Sequence, residues 1–408
     1  RKREQKGSRN TFQSFVTPPT YNGKETMNIG ICALGDVGSD TGGQTYIRNF
    51  VRMASELSDG DCIFFFVGST DVPWMQSDHS NVKIITVPFS SPGLYRRLAG
   101  EHIILPELIR QYDIDVMYYP NNFTSLNCPV PCVVAIRSTL YYHYPYAIDG
   151  LRLRYRKAMT PRSARQAVKI ICPSNDIKND ILNYIGVDSQ KIEVVHHGID
   201  VKLFGRSFTD KEFLSVAAPL GIRKPFLMYV SALWEYKNQD ILIESFARLI
   251  QDHSIPHQLV IVGKGLNTAN SYEQKLRDLP KQLGIENRVI FTGFQSHDVL
   301  KYLYCNTDVF VFPSSYESFG NPLFEAMAAG VPIVAANTHS FPEMAGDAAL
   351  LINPRDHRAM ADAIYSVITD TKLKAQLIAN GKKRIIAFDW NVCFQKTMNI
   401  IRKAGKEK

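Results

Sequence analysis

The sequence calls for an α/β protein built from two doubly wound parallel-sheet domains, and three features lead there. Short apolar, β-rich runs alternate with segments of helical period almost from end to end. The runs are unbroken rather than alternating, as expected of strands buried on both faces under helices. The rhythm stops once, near Asp200–Lys224, and then starts again. Strand–helix alternation of this kind winds helices over both faces of a parallel sheet. At 408 residues, each half is long enough to bury its own core.

In the first half the spacing predicts strands at Met27–Leu34, Cys62–Gly68, Val82–Pro88, Val116–Pro120, Cys132–Arg137, Lys169–Pro173 and Lys191–His196. Helical patterns at Gly43–Leu57, Gly100–Tyr112, Leu151–Ala167 and Ser174–Ile185 fall between them. The second half predicts strands at Pro225–Ser231, Gln258–Gly263, Val289–Gly293, Val309–Pro313, Pro332–Ala336 and Ala349–Ile352. Helices are expected at Asn238–Gln251, Tyr272–Leu283, His297–Tyr304, Pro322–Ala329, His357–Thr369, Lys372–Ile386 and about Asn391–Lys403. The polar stretch Asp200–Lys224 reads as the interdomain linker. The division is then a basic extension over 1–26, a first domain over 27–205, a second over 206–386 and a closing segment over 387–408.

Composition narrows the class. Hydrophobic residues make up 45% and charged residues 21%, an ordinary globular balance. No apolar run approaches the ~20 residues that span a bilayer, and Arg1–Asn10 lack the apolar core of a signal peptide. Seven scattered cysteines without C-x-x-C spacing fit a reducing, cytoplasmic setting and no zinc site. The net charge of +8 suits an anionic ligand or an anionic surface. No nucleic-acid partner is expected.

Open parallel sheets bind ligands outside the carboxyl ends of their strands, so the loops after the strands of the second half carry the interest. Phe310–Gly330 reads as strand, loop and helix, with Asn321 as N-cap, Pro322 as first helical residue and Gly330 as stop. Such a helix start offers free amides and the positive end of a dipole, and Gly320 admits a ligand close to the backbone. A diphosphate is the natural guest. Glu317 in the loop and Glu325, placed in the first turn, flank this cradle. A carboxylate accepts two hydrogen bonds at once, so each can hold a vicinal diol. Lys237, just after a strand and before a helix capped by Asn238, can neutralise phosphate as a point charge. Gly263, at the end of one further strand, and Phe294, just after another, are candidates for contact with the nucleotide.

This stretch resembles the Glu-x7-Glu signature of glycosyltransferase family 4, retaining enzymes of the GT-B fold. Pro313-Ser314, Glu317-Ser318-Phe319-Gly320, Glu325-Ala326, Gly330-Val331-Pro332, Pro342-Glu343 and Gly346-Asp347-Ala348-Ala349 carry the resemblance. It is strong over roughly 225–400 and weaker before. It implies two Rossmann-like domains facing a cleft, with the closing helix crossing back to the first domain. It also implies a nucleoside-diphosphate sugar, UDP- or GDP-linked, as donor, and no cofactor or metal. In the implied site Glu325 binds the ribose and Glu317 contacts the transferred sugar. Amides near Gly320, Asn321 and Leu323 meet the diphosphate, with Phe319, Ser231 and Lys237 close by. The family pattern Gly-Arg-Leu is here Ser231-Ala232-Leu233, so its arginine is absent. Gly42 and Gly43 resemble the family's N-terminal Gly-Gly loop, which reaches the donor phosphates.

The acceptor side belongs to the first domain. Where many members have His-Asp after the fifth strand, this sequence has Arg137-Ser138, and Arg137 is the candidate there. His143 is a second candidate to line the acceptor side, although packing in an aromatic cluster is the preferred reading for it. The basic run Arg152, Arg154, Arg156, Lys157, Arg162 and Arg165 suits a solvated helix face, a phosphorylated or lipid-linked glycan acceptor, or peripheral contact with an anionic membrane. The expected reaction is sugar transfer to an acceptor hydroxyl in cell-surface polysaccharide, lipopolysaccharide or glycolipid synthesis. The rivals are a nucleotide-sugar epimerase or phosphorylase, a non-catalytic sugar-nucleotide scaffold, and a metal-dependent transferase using Asp59/Asp61 or Asp113/Asp115. Those aspartates precede their strands, at the wrong end of the sheet.

Overall fold

The computed structural model describes residues 26–34, 42–57, 60–68, 79–88, 94–265 and 271–407. Seven strands form the first sheet: β1 (Asn28–Cys32), β2 (Cys62–Gly68), β3 (Val82–Val87), β4 (Val116–Tyr119), β5 (Cys132–Ala135), β6 (Lys169–Cys172) and β7 (Ile192–Val194). Their spatial order is 3-2-1-4-5-6-7, with every pairing parallel. Six more form the second sheet: β8 (Phe226–Val230), β9 (Gln258–Val262), β10 (Val289–Gly293), β11 (Val309–Phe312), β12 (Ile333–Ala336) and β13 (Ala349–Ile352). Their order is 10-9-8-11-12-13, again all parallel. Each sheet grows outward one way from its first strand and then the other, so a crevice opens between β1 and β4 and between β8 and β11.

Strand period explains how the apolar runs fill both faces. Along β2, Ile63, Phe65 and Val67 enter the core under one face while Phe64 and Phe66 enter the core under the other. The first face is covered by helix Gly42–Leu57 and by the last helix, Trp390–Lys406, whose Phe394, Met398, Ile401 and Ala404 are buried there. The chain thus ends on the domain in which it began, and Arg402 Nε clamps Asp61 at 2.6 Å. Beside this return, Ile199 N donates to Phe388 O at 3.1 Å, so both chain segments crossing between the domains are joined.

The stretch read as a linker is not bare. It holds helices Val201–Phe204 and Asp210–Ala217. Thr209 and Glu212 form a reciprocal capping box there, and Phe213 and Ala217 sit in the second domain's core. The T-x-x-E spacing was the available signal. The helix expected from Gly100 instead begins at Leu94 and runs through a wider turn at Gly100–Ile104 into Leu105–Gln111.

Candidate active site

The crevice between β8 and β11 is shaped by the loops that leave those strands. After β8, Ser231 N donates to Val262 O at 3.0 Å and Leu233 N to Lys264 O at 3.2 Å, while Gly263 N reaches Gly293 O at 2.9 Å. The ends of β8, β9 and β10 are therefore stitched into one rim. Gly263 is a close-approach position: a Cβ there would meet Ser231 O at 1.9 Å, and its φ of +143° is one that side chains rarely adopt. Gln239, fully buried, closes the loop from within by donating to Ala232 O and to Tyr229 OH, each at 3.0 Å. Phe294 stands 48% exposed on the rim with Lys264 Nζ 5.8 Å from its ring centre.

Lys237 ends a short turn, Glu235–Lys237, and is only 7% exposed. Asn238 stands at the N-cap of the following helix, Gln239–His253, as expected, but its side chain does not cap it. It adopts a left-handed conformation, and its side-chain amide donates to Pro313 O at 2.7 Å and Ser315 Oγ at 2.8 Å. The loop after β8 is thereby tied to the loop after β11. Across this seam Lys237 Nζ forms a short ion pair with Glu317 Oε1. Burial works against the ammonium charge, but the Glu317 carboxylate more than offsets it and raises the Lys237 pKa. Two residues 80 positions apart in sequence thus share one mostly buried contact.

The loop after β11 is held along its length. Thr338 Oγ1 donates to Ser314 O at 3.4 Å, Ser340 Oγ to Glu317 O at 2.8 Å and Ser315 N to Tyr236 O at 2.7 Å. The loop delivers helix Asn321–Ala329 with its amino end at the crevice. Gly320, at φ +84°, is the N-cap, and no side chain caps that end. Asn321 is therefore the first helical residue rather than the cap. Leu323 N is turned onto Gly320 O at 2.9 Å, inside the first turn. Glu325 is the fifth helical residue, not a first-turn acid, and is 6% exposed. His297 Nε2 lies 3.6 Å from its Oε1. Tyr304 is buried nearby; burial, then the charge of Glu325, pushes its phenol well up. Phe319, 4% exposed, is packed between Phe324 (ring centres 4.6 Å apart) and His197 (4.8 Å). It shapes the site from within an aromatic cluster.

From the first domain, Arg137 follows β5. Its backbone N donates to Asn122 Oδ1 at 2.8 Å, and its guanidinium lies 5.0 Å from the Tyr46 ring centre. It lines a crevice with Tyr118, Cys172 and His197. Burial, then the charge of Arg137, pushes the His197 pKa well down, so this imidazole is neutral at neutral pH. Gly42 and Gly43 open helix Gly42–Leu57, and the loop before them, 35–41, lies outside the described residues, as do Asp59 and the extension over 1–25. Asp61 accepts from Met27 N at 3.0 Å and Asp115 from Asn28 N at 2.8 Å. Both brace the start of β1, at the far end of the sheet from the crevice.

Reading along the sequence missed one group altogether. Tyr316, from the loop after β11, inserts into the first domain, where its hydroxyl accepts from Thr139 N at 2.9 Å. His143 Nε2 lies 2.7 Å from Asp180 Oδ2, and Glu343 joins Asn175 N (2.8 Å) and His196 Nε2 (3.1 Å) across the same boundary. His143 does sit in an aromatic cluster, against Tyr184, Tyr316 and His339. No local pattern marks the contacts of Tyr316 and Glu343, because their partners come from the other domain.

Two doubly wound parallel sheets facing one cleft, with an uncapped helix start and a buried Lys–Glu pair at the switch point of the second, have the build of a GT-B glycosyltransferase. Residues 210–384 match the family described as "Glycosyl transferases group 1", and residues 41–203 match "Glycosyltransferase Family 4". The chain belongs to the GT-B glycosyltransferases of the family 4 type and is an enzyme of the hexosyltransferase class. It is 27% identical over 282 residues to an uncharacterized glycosyltransferase of Methanocaldococcus jannaschii, spanning 67% of this chain and 70% of that protein. It is 26% identical over 293 residues to O-antigen chain mannosyltransferase B of Escherichia coli, spanning 71% and 75%. Among solved structures, Anabaena HepE in complex with UDP-glucose superposes with a TM-score of 0.71 at 21% identity, covering 92% of this chain and all of that one, a likeness of fold.

Proposed function

We propose that the protein is a retaining glycosyltransferase that moves a sugar from a nucleoside-diphosphate sugar, UDP- or GDP-linked, to a hydroxyl of a glycan or lipid-linked acceptor in cell-surface glycan synthesis. The observation that carries this reading is the Lys237–Glu317 pair beside the open start of helix Asn321–Ala329. As the anomeric bond breaks, negative charge gathers on the leaving diphosphate and positive charge on the sugar carbon. Lys237 and the amides at Gly320 and Asn321 face the former, and the Glu317 carboxylate faces the latter. Glu325 holds the ribose diol, and Phe294 offers the base a stacking face. Attack comes from the side on which the phosphate departs. The acceptor oxygen bonds to the anomeric carbon, the bond from that carbon to the phosphate oxygen breaks, and the acceptor's proton passes to the leaving phosphate. Arg137 lines the acceptor side. The step calls for no metal or other cofactor, since fixed cations and amides meet the phosphate charge.

Kinship with an O-antigen mannosyltransferase favours GDP-mannose as the first donor to try. Among the described residues no helix is long and apolar enough to cross a membrane. Helix Gly150–Gln166 presents exposed Arg152, Arg154, Lys157, Arg162 and Arg165 beside Leu151, 61% exposed. Peripheral contact with an anionic membrane follows from that surface. The donor assignment is tested by thermal shift with a panel of UDP- and GDP-sugars. A bound donor raises the melting temperature, and Glu325→Gln abolishes the rise. A panel that shifts nothing sinks the assignment.

A further inference from the structure

Glu317 sits between two residues that are both fastened to the opposite domain. Before it, Tyr316 is 3% exposed and packs within the apolar core of the first domain, although it belongs to a loop of the second. Its hydroxyl accepts from Thr139 N at 2.9 Å and lies 3.0 Å from Thr139 Oγ1. Thr139 Oγ1 in turn donates to Asp180 Oδ2 at 2.5 Å, and that carboxylate is also bonded to His143 Nε2. With the threonine proton committed to Asp180, the Tyr316 proton has Thr139 Oγ1 as its acceptor, so every donor in the chain has one direction. After Glu317, Ser318 O accepts from Ser174 Oγ at 3.0 Å. The carboxylate that faces the reacting carbon is therefore placed as much by the acceptor domain as by its own.

We propose that Tyr316 is a positioning residue through which the first domain sets Glu317 and, with it, the alignment of donor and acceptor. The inference rests on the donor reading above. Its physical basis is that a reacting pair must be held near 3–3.5 Å, where a misplacement of about 1 Å costs on the order of 10²-fold in rate. Tyr316→Phe keeps the buried ring and removes only the hydroxyl, which frees Glu317 to move relative to the first domain without touching the donor cradle.

Two measurements on the full chain test it. The first follows release of GDP from GDP-mannose, or UDP from UDP-glucose, whichever raises the melting temperature of the wild type. Tyr316→Phe is expected to lower kcat at least tenfold with donor KM within about twofold, whereas Tyr184→Phe, in the same aromatic cluster, leaves both unchanged. A wild-type kcat in Tyr316→Phe overturns the proposal, as does a loss of kcat matched by an equal rise in KM. The second needs no donor: amide hydrogen exchange at Thr139 and across 313–320. Loss of the hydroxyl is expected to speed exchange at Thr139 by about tenfold and to loosen the loop. Unchanged exchange overturns the proposal even if no donor is found, while altered exchange with no donor response points the failure at the donor reading.

Discussion

Breaking the Lys237–Glu317 pair from one side should do more damage than removing it entirely. Lys237 is 7% exposed and the Glu317 side chain 15% exposed, so neither charge keeps much of its water. Removing one member of a buried pair leaves an uncompensated charge, at a cost of about 3–5 kcal/mol, whereas neutral replacement of both members is often close to neutral. Because Glu317 retains some hydration, about 2–4 kcal/mol is the expected cost of Glu317→Gln. In a domain of this size each kcal/mol moves the melting temperature by about 2–4 °C, so the variant should melt about 5–15 °C below wild type. Lys237→Met should cost less, since the orphaned carboxylate is the more exposed partner. The double variant should melt above Glu317→Gln. Donor turnover should not follow: each single variant should lose about 10²–10³ in kcat, the size of one lost electrostatic contact to a developing charge, and the double variant should recover none of it. The assay pairs calorimetric melting with release of nucleoside diphosphate. A Glu317→Gln protein that melts with wild type, or a double variant whose losses simply add, would show that the two charges do not depend on each other.

Three further outcomes follow from the same coordinates. Gly263→Ala forces a Cβ to within 1.9 Å of the Ser231 carbonyl at a φ of +143°, and strain plus overpacking should cost about 2–4 kcal/mol; a melting temperature within 2 °C of wild type would refute it. The hydrogen bond to Asp180 raises the His143 pKa above its ordinary value of 6.5; that contribution to stability is full below pH 6.5 and fades as pH rises through the folded-state value, so melting should fall more steeply above pH 6.5 in wild type than in His143→Gln, and identical slopes would contradict it. Excess EDTA should leave the initial rate of donor turnover unchanged, and a loss restored by a divalent cation would overturn the metal-free reading.

Both sheets were legible because parallel strands covered on two faces leave unbroken apolar runs, as along Cys62–Gly68 and Val309–Phe312, which chain-local patterning reveals. The loop after β11 was legible for another reason: Gly320, Asn321 and Glu317 combine a turn, a helix start and acids within a few residues. Boundaries slipped where tertiary contacts decide them, as with Asn321 and Glu325, each one step off its expected place on the helix. Helix Asp210–Ala217 hid inside a polar stretch because only Phe213 and Ala217 of its residues are buried. Tyr316 and Thr139 had no local signature, since each gains its role from a partner on the other side of the cleft, and Asp180 had none because its partners Thr139 and His143 lie 41 and 37 positions away in the same domain.

The return of helix Trp390–Lys406 to the first sheet gives the molecule a two-stranded joint rather than a single tether. The segments near Ile199 and Phe388 run side by side and are bonded to each other. Two crossings bonded to each other restrict how the lobes can turn against one another more than a single tether would. Cutting the chain after Ile386 would strip an apolar cover from the first lobe, free the second to swivel and remove Phe388, whose ring packs on Phe319 and Phe324, so a truncated enzyme would lose both the aim of the reaction and one wall of its donor cradle.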